Sequence, residues 1–282
     1  MDARDTRQTW LVTGAARGLG LHLARAVLES GDHLVATART PAQLDGLVET
    51  YGDQVRPYAL DVTDPEAARR AVGFATEQFG RLDVVVNNAG YANSAPIEEM
   101  PEEDFRAQIE TNLFGVVNVT RAALPVLRRQ RGGTFVQISS VGGRVGGSPG
   151  LGAYQAAKFA VEGFSEVLAN ETAPFGVKVI IVEPGAFRTD WQGTSMRLHD
   201  VGADYQDSVG RMHRLRRETD GAQPGDPARA AAVIVDIVGH EAPPRRLLLG
   251  ADAVEAALRS GAERNAEAEE WAEISRSTGF PT

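Results

Sequence analysis

From residue 10 onward the chain alternates short runs of aliphatic and β-branched residues with longer segments whose apolar positions recur every three or four residues. The runs Trp10 to Thr13, His33 to Ala38, Tyr58 to Leu60, Val84 to Asn87, Thr134 to Ser139, Val177 to Val182 and Leu247 to Leu249 read as seven strands. Between them, Leu19 to Ser30, Pro41 to Tyr51, Pro65 to Phe79, Pro101 to Gln130, Tyr154 to Thr172 and Pro227 to Gly239 read as helices. Several open on a proline that suits a first helical turn. Gly31 closes the first helix, and Pro174 with Gly176 ends the one that begins at Tyr154. Strands alternating with helices in this order pair in parallel through crossovers. The pattern therefore predicts an α/β fold, a seven-stranded parallel sheet flanked by helices.

Two stretches fall outside the alternation. Arg188 to Asp226 separates a strand from the next helix by far more than a connection needs, which marks a lid or binding loop. From Asp252 onward the chain is rich in Ala, Glu and Arg and predicts one exposed helix, a solvated or packing appendage. With no internal repeat and no low-complexity linker, the division expected is one domain over 1–251, including the loop at about 188–226, and a helical tail over 252–282.

Composition narrows the partners. Lys and Arg number 29 against 38 Asp and Glu, a formal net charge of -9, which argues against nucleic acid or an anionic membrane. The absence of cysteine removes disulfides, thiolate metal sites and a cysteine nucleophile together. The five histidines, His22, His33, His199, His213 and His240, show no metal-ligand spacing, so no metal is expected. Met1 to Asp5 has no apolar signal core and no run approaches membrane-spanning length, so a soluble cytoplasmic protein is expected.

Two motifs carry chemistry. Thr13-Gly14-Ala15-Ala16-Arg17-Gly18-Leu19-Gly20 follows the first strand and opens the first helix, where glycines let backbone approach a pyrophosphate and the helix N-terminus attracts its charge. This placement makes the domain Rossmann-type and doubly wound. Tyr154 and Lys158 stand four apart on a helix, one turn from each other on the same face. An ammonium beside a phenol favours the phenolate, so the pair is expected to draw the phenol pKa toward neutrality and make Tyr154 a usable acid or base.

The T-G-x-x-x-G-x-G spacing together with Tyr154-x-x-x-Lys158 resembles the single-domain short-chain dehydrogenases/reductases over about residues 8 to 250. The resemblance implies that Gly14, Gly18, Leu19 and Gly20 hold the cofactor pyrophosphate. Asn88, Ala89 and Gly90, within Asn87-Asn88-Ala89-Gly90, shape the adenine-side wall, and Asp61-Val62 contacts the adenine. Pro184-Gly185 with Thr189 closes on the nicotinamide. It also implies a catalytic set in which Ser140 orients the substrate carbonyl, Tyr154 exchanges the proton and Lys158 holds the nicotinamide ribose. Asn112 bends its helix and holds a water leading to Lys158. Ser140 precedes Tyr154 by fourteen residues, one more than the family's commonest spacing, and Gly146 to Gly150 is the place for the extra residue.

Where members preferring NAD(H) carry an acidic residue after the second strand, this chain reads Ala38-Arg39, and Arg17 lies inside the glycine loop. Two guanidiniums suit a 2′-phosphate, so NADP(H) is expected over NAD(H). The implied function is hydride transfer between NADP(H) and a carbonyl or secondary alcohol. Phe187, Trp191, Met196, Leu198, Tyr205 and Met212 of the loop, with Tyr91, Val145 and Leu151, either line an apolar ketone site or fasten the loop. Rival readings are a cofactor-binding sensor without turnover, an NAD(H)-dependent alcohol dehydrogenase and an enzyme acting on activated sugars. The last is disfavoured by the short stretch after Asp252. By resemblance, homodimers or homotetramers pair through the helices at 101–130 and 154–172, and Ala160, Val161, Phe164 and Val167 fit either such a face or packing on the sheet.

Overall fold

Strands buried on both faces carry unbroken apolar runs, and this chain follows that rule. Trp10, Leu11 and Val12 in β1 (Thr9–Val12) and Val84, Val85 and Val86 in the central strand beside it are all buried. The structure is a computed structural model and describes residues 7–191, 193 and 195–280, so Met1 to Asp5 and the last two residues of the tail lie outside the described residues. The other strands are β2 (His33–Ala38), β3 (Val55–Ala59), β4 (Val84–Asn87), β5 (Asn93–Ser94), β6 (Gly133–Ile138), β7 (Val177–Pro184), β8 (Arg197–Leu198) and β9 (Arg246–Leu249).

Seven of them form one sheet in the order β3-β2-β1-β4-β6-β7-β9, parallel throughout. β1 is flanked by β2 and β4, so the connections leave it in opposite directions and open a crevice beyond the carboxyl ends of β1 and β4. Side chains alternate across the sheet. Trp10, Val12, Leu34, Val86 and Ile180 pack with helices Gly18–Glu29 and Pro227–Gly239 on one face. Leu11, Val35, Val85 and Phe135 pack with Pro65–Phe79, Gly115–Gln130 and Gly152–Thr172 on the other. Phe164 packs against this second core, so of the four residues that fitted either role it serves the sheet; Val161 is buried, and Val167 stays exposed.

Element ends shift by a few residues for local reasons. β3 begins at Val55 and carries Pro57, which an edge strand tolerates because it has a ladder on one side only. Pro41–Leu44 is a 3₁₀ turn leading into helix Asp45–Tyr51. The single helix expected over Pro101 to Gln130 is instead three pieces, Glu102–Ile109, a π turn over Glu110–Phe114 and Gly115–Gln130. An ion network positions the neighbouring helix: Arg246 pairs with Glu183 at 2.9 Å, with Glu166 at 2.9 Å and with Glu162, tying β9, β7 and Gly152–Thr172 together.

The 188–226 stretch has structure of its own. β8 pairs in parallel with β5, and helix Arg211–Thr219 reaches back to the domain. Ser94 Oγ lies 2.8 Å from His213 Nε2 and accepts from Arg216 at 2.9 Å, while His199 meets Asp104 at 2.6 Å. The tail forms helices Ala251–Glu270 and Ala272–Arg276, with Ala253 and Ala257 buried and most of the remainder exposed. No described helix is long and apolar enough to cross a membrane. Phe135 is fully buried among the second core. Phe135→Ala is expected to cost about 3–5 kcal/mol, read as a lowered midpoint in urea unfolding.

Candidate active site

The glycine loop lies at the crevice. Gly14 and Gly18 take left-handed backbone (φ +66° and +54°), which glycine adopts without steric cost. A Cβ on Gly20 would stand 2.2 Å from the Gly14 carbonyl, so the turn closes only with glycine there. Arg17 precedes helix Gly18–Glu29 in extended conformation and makes no side-chain cap, leaving the first-turn N–H groups to an anion. These features fit a dinucleotide pyrophosphate.

The loop is fixed from β4. Thr13 Oγ1 donates to the Val86 carbonyl at 3.1 Å and accepts from the N–H groups of Asn88 and Ala89 at 2.9 and 3.0 Å. The Asn88 amide donates to the Thr13 and Gly14 carbonyls at 2.9 and 3.1 Å. Asn87 points the other way, into a buried set with Thr120 and Gln137. Asp61 is exposed and folds onto Thr63, while Asn118 donates to the Val62 carbonyl at 3.0 Å. Arg17 and Arg39 are both exposed, and Arg39 acts on the Tyr91 phenol. Gly185 N–H donates to the Leu249 carbonyl at 2.9 Å, and Gly18 faces Thr189, whose Cβ would lie 3.7 Å from an added Cβ.

Ser140, Tyr154 and Lys158 converge at the ends of β6 and Gly152–Thr172. The Ser140 hydroxyl lies near enough to the Tyr154 phenol to favour its phenolate, and Ser140 Oγ accepts from Gly142 N–H at 3.0 Å. Its neighbour Ser139 is buried against Gly143 and has no such partner. In the stretch expected to hold the extra residue before Tyr154, Gly146, Gly147 and Gly150 are all left-handed. Lys158 Nζ donates to the Ile138 carbonyl at 2.7 Å and lies 5.7 Å from the centre of the Tyr154 ring. Asn112 occupies the π turn, donating to the carbonyls of Tyr91 and Gln108, both at 2.8 Å, and accepting from Tyr91 N–H at 3.1 Å. A Cβ on Gly90 would stand 2.5 Å from Asn112 Oδ1 and 3.8 Å from Lys158 Nζ, so this glycine separates the two side chains.

The expected electrostatics of the pair are corrected here. Burial pushes the Tyr154 phenol up to about 12, with the Ser140 hydrogen bond pulling weakly the other way. Burial also brings Lys158 down to about 8. Desolvation disfavours both charged forms and outweighs the attraction an ammonium would exert.

Over Tyr154 sits an apolar cluster of Ala92, Leu151, Met196, Trp191 and Leu198, with the Trp191 ring 5.2 Å from that of Tyr154. The other residues expected there go elsewhere. Phe187 packs on the main core and Tyr205 bonds Glu98. Tyr91 does not join the cluster, and burial raises its phenol pKa.

Comparison with known proteins agrees with this geometry. Residues 8–198 match the short chain dehydrogenase family. The chain is 49% identical over 267 residues to Oxidoreductase BOA17 of Botryotinia fuckeliana, covering 94% of this chain and 97% of the relative. A crystal structure of a short-chain dehydrogenase from Streptomyces avermitilis superposes with a TM-score of 0.91 at 40% identity, over 98% of this chain and 100% of that one.

This chain belongs to the short-chain dehydrogenase family. It is an oxidoreductase of that family, and a structure of an alcohol dehydrogenase from Thermococcus sibiricus complexed with 5-hydroxy-NADP is also similar. That likeness has a TM-score of 0.70 at 27% identity, over 86% of this chain and 96% of that one.

Sequence reasoning about this dehydrogenase missed the Asn118 contact, although its six-residue spacing from Asn112 along one helix was visible. It also missed Asp252, which accepts from Ala186 N–H at 2.7 Å and which no motif singled out.

The lowered Lys158 pKa has a stability consequence. From about pH 8 to its ordinary 10.5, the folded chain holds this lysine neutral while the unfolded chain holds it charged. The unfolded state then binds more protons, so this group's stabilisation is complete above 10.5 and is lost as pH falls through 8. Wild-type stability is expected to rise between about pH 8 and 10 relative to Lys158→Met, compared by urea midpoints at each pH.

Proposed function

We propose that the protein is an NADP(H)-dependent reductase of apolar ketones, acting through Asn112, Ser140, Tyr154 and Lys158. The observation that carries this reading is the Ser140 hydroxyl close to a buried Tyr154 phenol whose ring stands 5.2 Å from that of Trp191, in one cluster with Met196 and Leu198. Gly14, Gly18, Leu19 and Gly20 would hold the pyrophosphate, and Arg17 and Arg39 the 2′-phosphate. Asp61, Val62, Asn88, Ala89 and Gly90 would frame the adenine half, and Pro184, Gly185 and Thr189 the nicotinamide half. When bound, the cofactor supplies the hydride.

The protein's own part is to place and protonate the substrate oxygen. Ser140 Oγ and the Tyr154 phenol converge on one point, so a carbonyl oxygen there accepts from both, and Tyr154 gives up its proton as the oxygen gains charge. A phenol held near 12 is almost wholly protonated at neutral pH, so it carries the proton the oxygen needs but releases it only as that oxygen gains charge. Lys158, one turn on, stands ready to reload it through the polar path that Asn112 borders. The apolar cluster keeps water from the oxygen and favours a ketone with aliphatic or aromatic flanks.

The same reading gives a homo-oligomer with an interface beside this site. A groove of about 470 Å³ runs along Glu102–Ile109, lined by Ile97, Met100, Phe105, Ile109 and Phe114 together with the charged Glu102, Arg106 and Glu110. Ile97 is 75% exposed, Phe114 46% and Val167 56%, an apolar surface that supports pairing through these helices.

Three outcomes are expected. On a panel of aliphatic, aromatic and steroid ketones, NADPH consumption in Tyr154→Phe should fall by about 10²–10⁴. NADPH binding without turnover on any ketone would instead favour a cofactor sensor. Arg39→Ala should raise the KM for NADPH about tenfold and leave that for NADH unchanged, whereas a wild-type preference for NADH would overturn the cofactor assignment. Ile97→Asp with Phe114→Asp should shift the protein to a smaller species in size-exclusion chromatography, and an unchanged elution volume would remove the groove from the interface.

A further inference from the structure

The tail helix Ala251–Glu270 touches the domain at two polar points, and each lies on a different wall of the proposed cleft. At its first turn, Asp252 accepts from the Ala186 N–H at 2.7 Å. The contact is tight enough that a Cβ on Gly185 would lie 2.3 Å from the same carboxylate. Gly250, left-handed at φ +100°, also makes room for it, since its Cβ would meet the other oxygen at 2.5 Å. The carboxylate therefore fixes the Gly185-Ala186 backbone just after β7, the segment assigned to the nicotinamide half.

About three turns on, Arg264 donates to the Val145 carbonyl at 2.8 Å, and its guanidinium stands 6.0 Å over the Phe159 ring. Val145 opens the loop in which Gly146, Gly147 and Gly150 are all left-handed. A loop with three such glycines has many conformations to lose and needs outside anchors. Its other anchors are the Arg216 bond to the Pro149 carbonyl at 3.3 Å, the Gln155 bond to Ser148 N–H at 3.2 Å and the Ala95 N–H bond to the Gly150 carbonyl at 3.1 Å. All three act at its far end; at the near end the Val145 N–H bonds the Val141 carbonyl at 2.8 Å within its own turn, and Arg264 adds the tie to another element. The same loop leads into Leu151, part of the apolar cluster over Tyr154.

We propose that the tail helix is a two-point clamp: Asp252 positions the Gly185-Ala186 turn for the cofactor, and Arg264 positions the Val145 to Gly150 loop for the substrate. Both are positioning residues, acting through backbone they hold. This rests on the reductase reading for which wall serves which ligand, but the clamp itself is a property of the protein alone.

A simple stabilising role would make both variants lose stability and disturb both ligands alike, whereas a clamp separates them. Asp252→Ala is expected to weaken NADPH binding, followed by fluorescence titration, by about tenfold or more, because a backbone N–H loses a charged acceptor. Asp252→Asn keeps an acceptor oxygen and should recover most of that affinity. Arg264→Ala should raise the ketone KM about threefold, leaving NADPH affinity and kcat near wild type.

Hydrogen exchange on the protein without cofactor gives the independent readout. Exchange should quicken at Ala186 in Asp252→Ala and at Gly146 to Gly150 in Arg264→Ala, each about fivefold or more and each without the other. Arg264 is exposed, so its variant folds whatever Asp252→Ala does. Unchanged exchange at the paired segment, or both variants moving both segments equally, overturns the clamp. Failure of the wild type to bind NADPH overturns the reductase reading instead and leaves the exchange arm to decide the clamp.

Discussion

One hydroxyl holds the crevice open. Thr13 Oγ1 stands where β1 ends beside β4, and its bonds to Val86, Asn88 and Ala89 keep the two strand exits in register. The neighbouring chain of bonds from the Asn88 amide to the Thr13 and Gly14 carbonyls then fixes the glycine loop against the second motif. Both strands are buried and parallel, so these polar groups have no water to turn to, and every bond among them is obligatory. The cofactor cradle is thus part of the sheet's own hydrogen-bond accounting.

The chemistry is governed by a similar contest between burial and charge. Tyr154 and Lys158 are both buried, and removal from water moves each toward its neutral form: the phenol keeps its proton and the amine gives its own up more easily. In the proposed reaction an acid that keeps its proton until a carbonyl oxygen arrives would stand beside an amine that gives its own up near pH 8. The π turn at Asn112 turns an amide toward the Tyr91 and Gln108 backbone and leaves Gly90 between Asn112 and Lys158.

The sheet was legible because both its periodicity and its punctuation were local. Val84–Asn87, His33–Ala38, Pro65–Phe79 and Pro227–Gly239 begin and end where composition changes. The π turn was not legible, since one inserted residue leaves the apolar pattern of a helix almost unaltered. Within the site, the family resemblance pointed to Ser140 beside Tyr154, but the sequence did not give the direction in which Tyr154 and Lys158 are shifted, because depth of burial is a tertiary quantity. Asp252 was invisible for a related reason: its bond to Ala186 spans 66 residues and has no sequence period.

The three left-handed glycines between Val145 and Leu151 bear on how such a protein changes over time. Their loop joins the turn after Ser140 to the helix that carries Tyr154, and its glycines let it change length without a steric demand on either end. Insertions and deletions at this point would reshape the proposed substrate wall at Leu151 and leave the helix that carries Tyr154 in place. A lineage could then acquire new substrates by editing one loop, with its chemistry inherited intact.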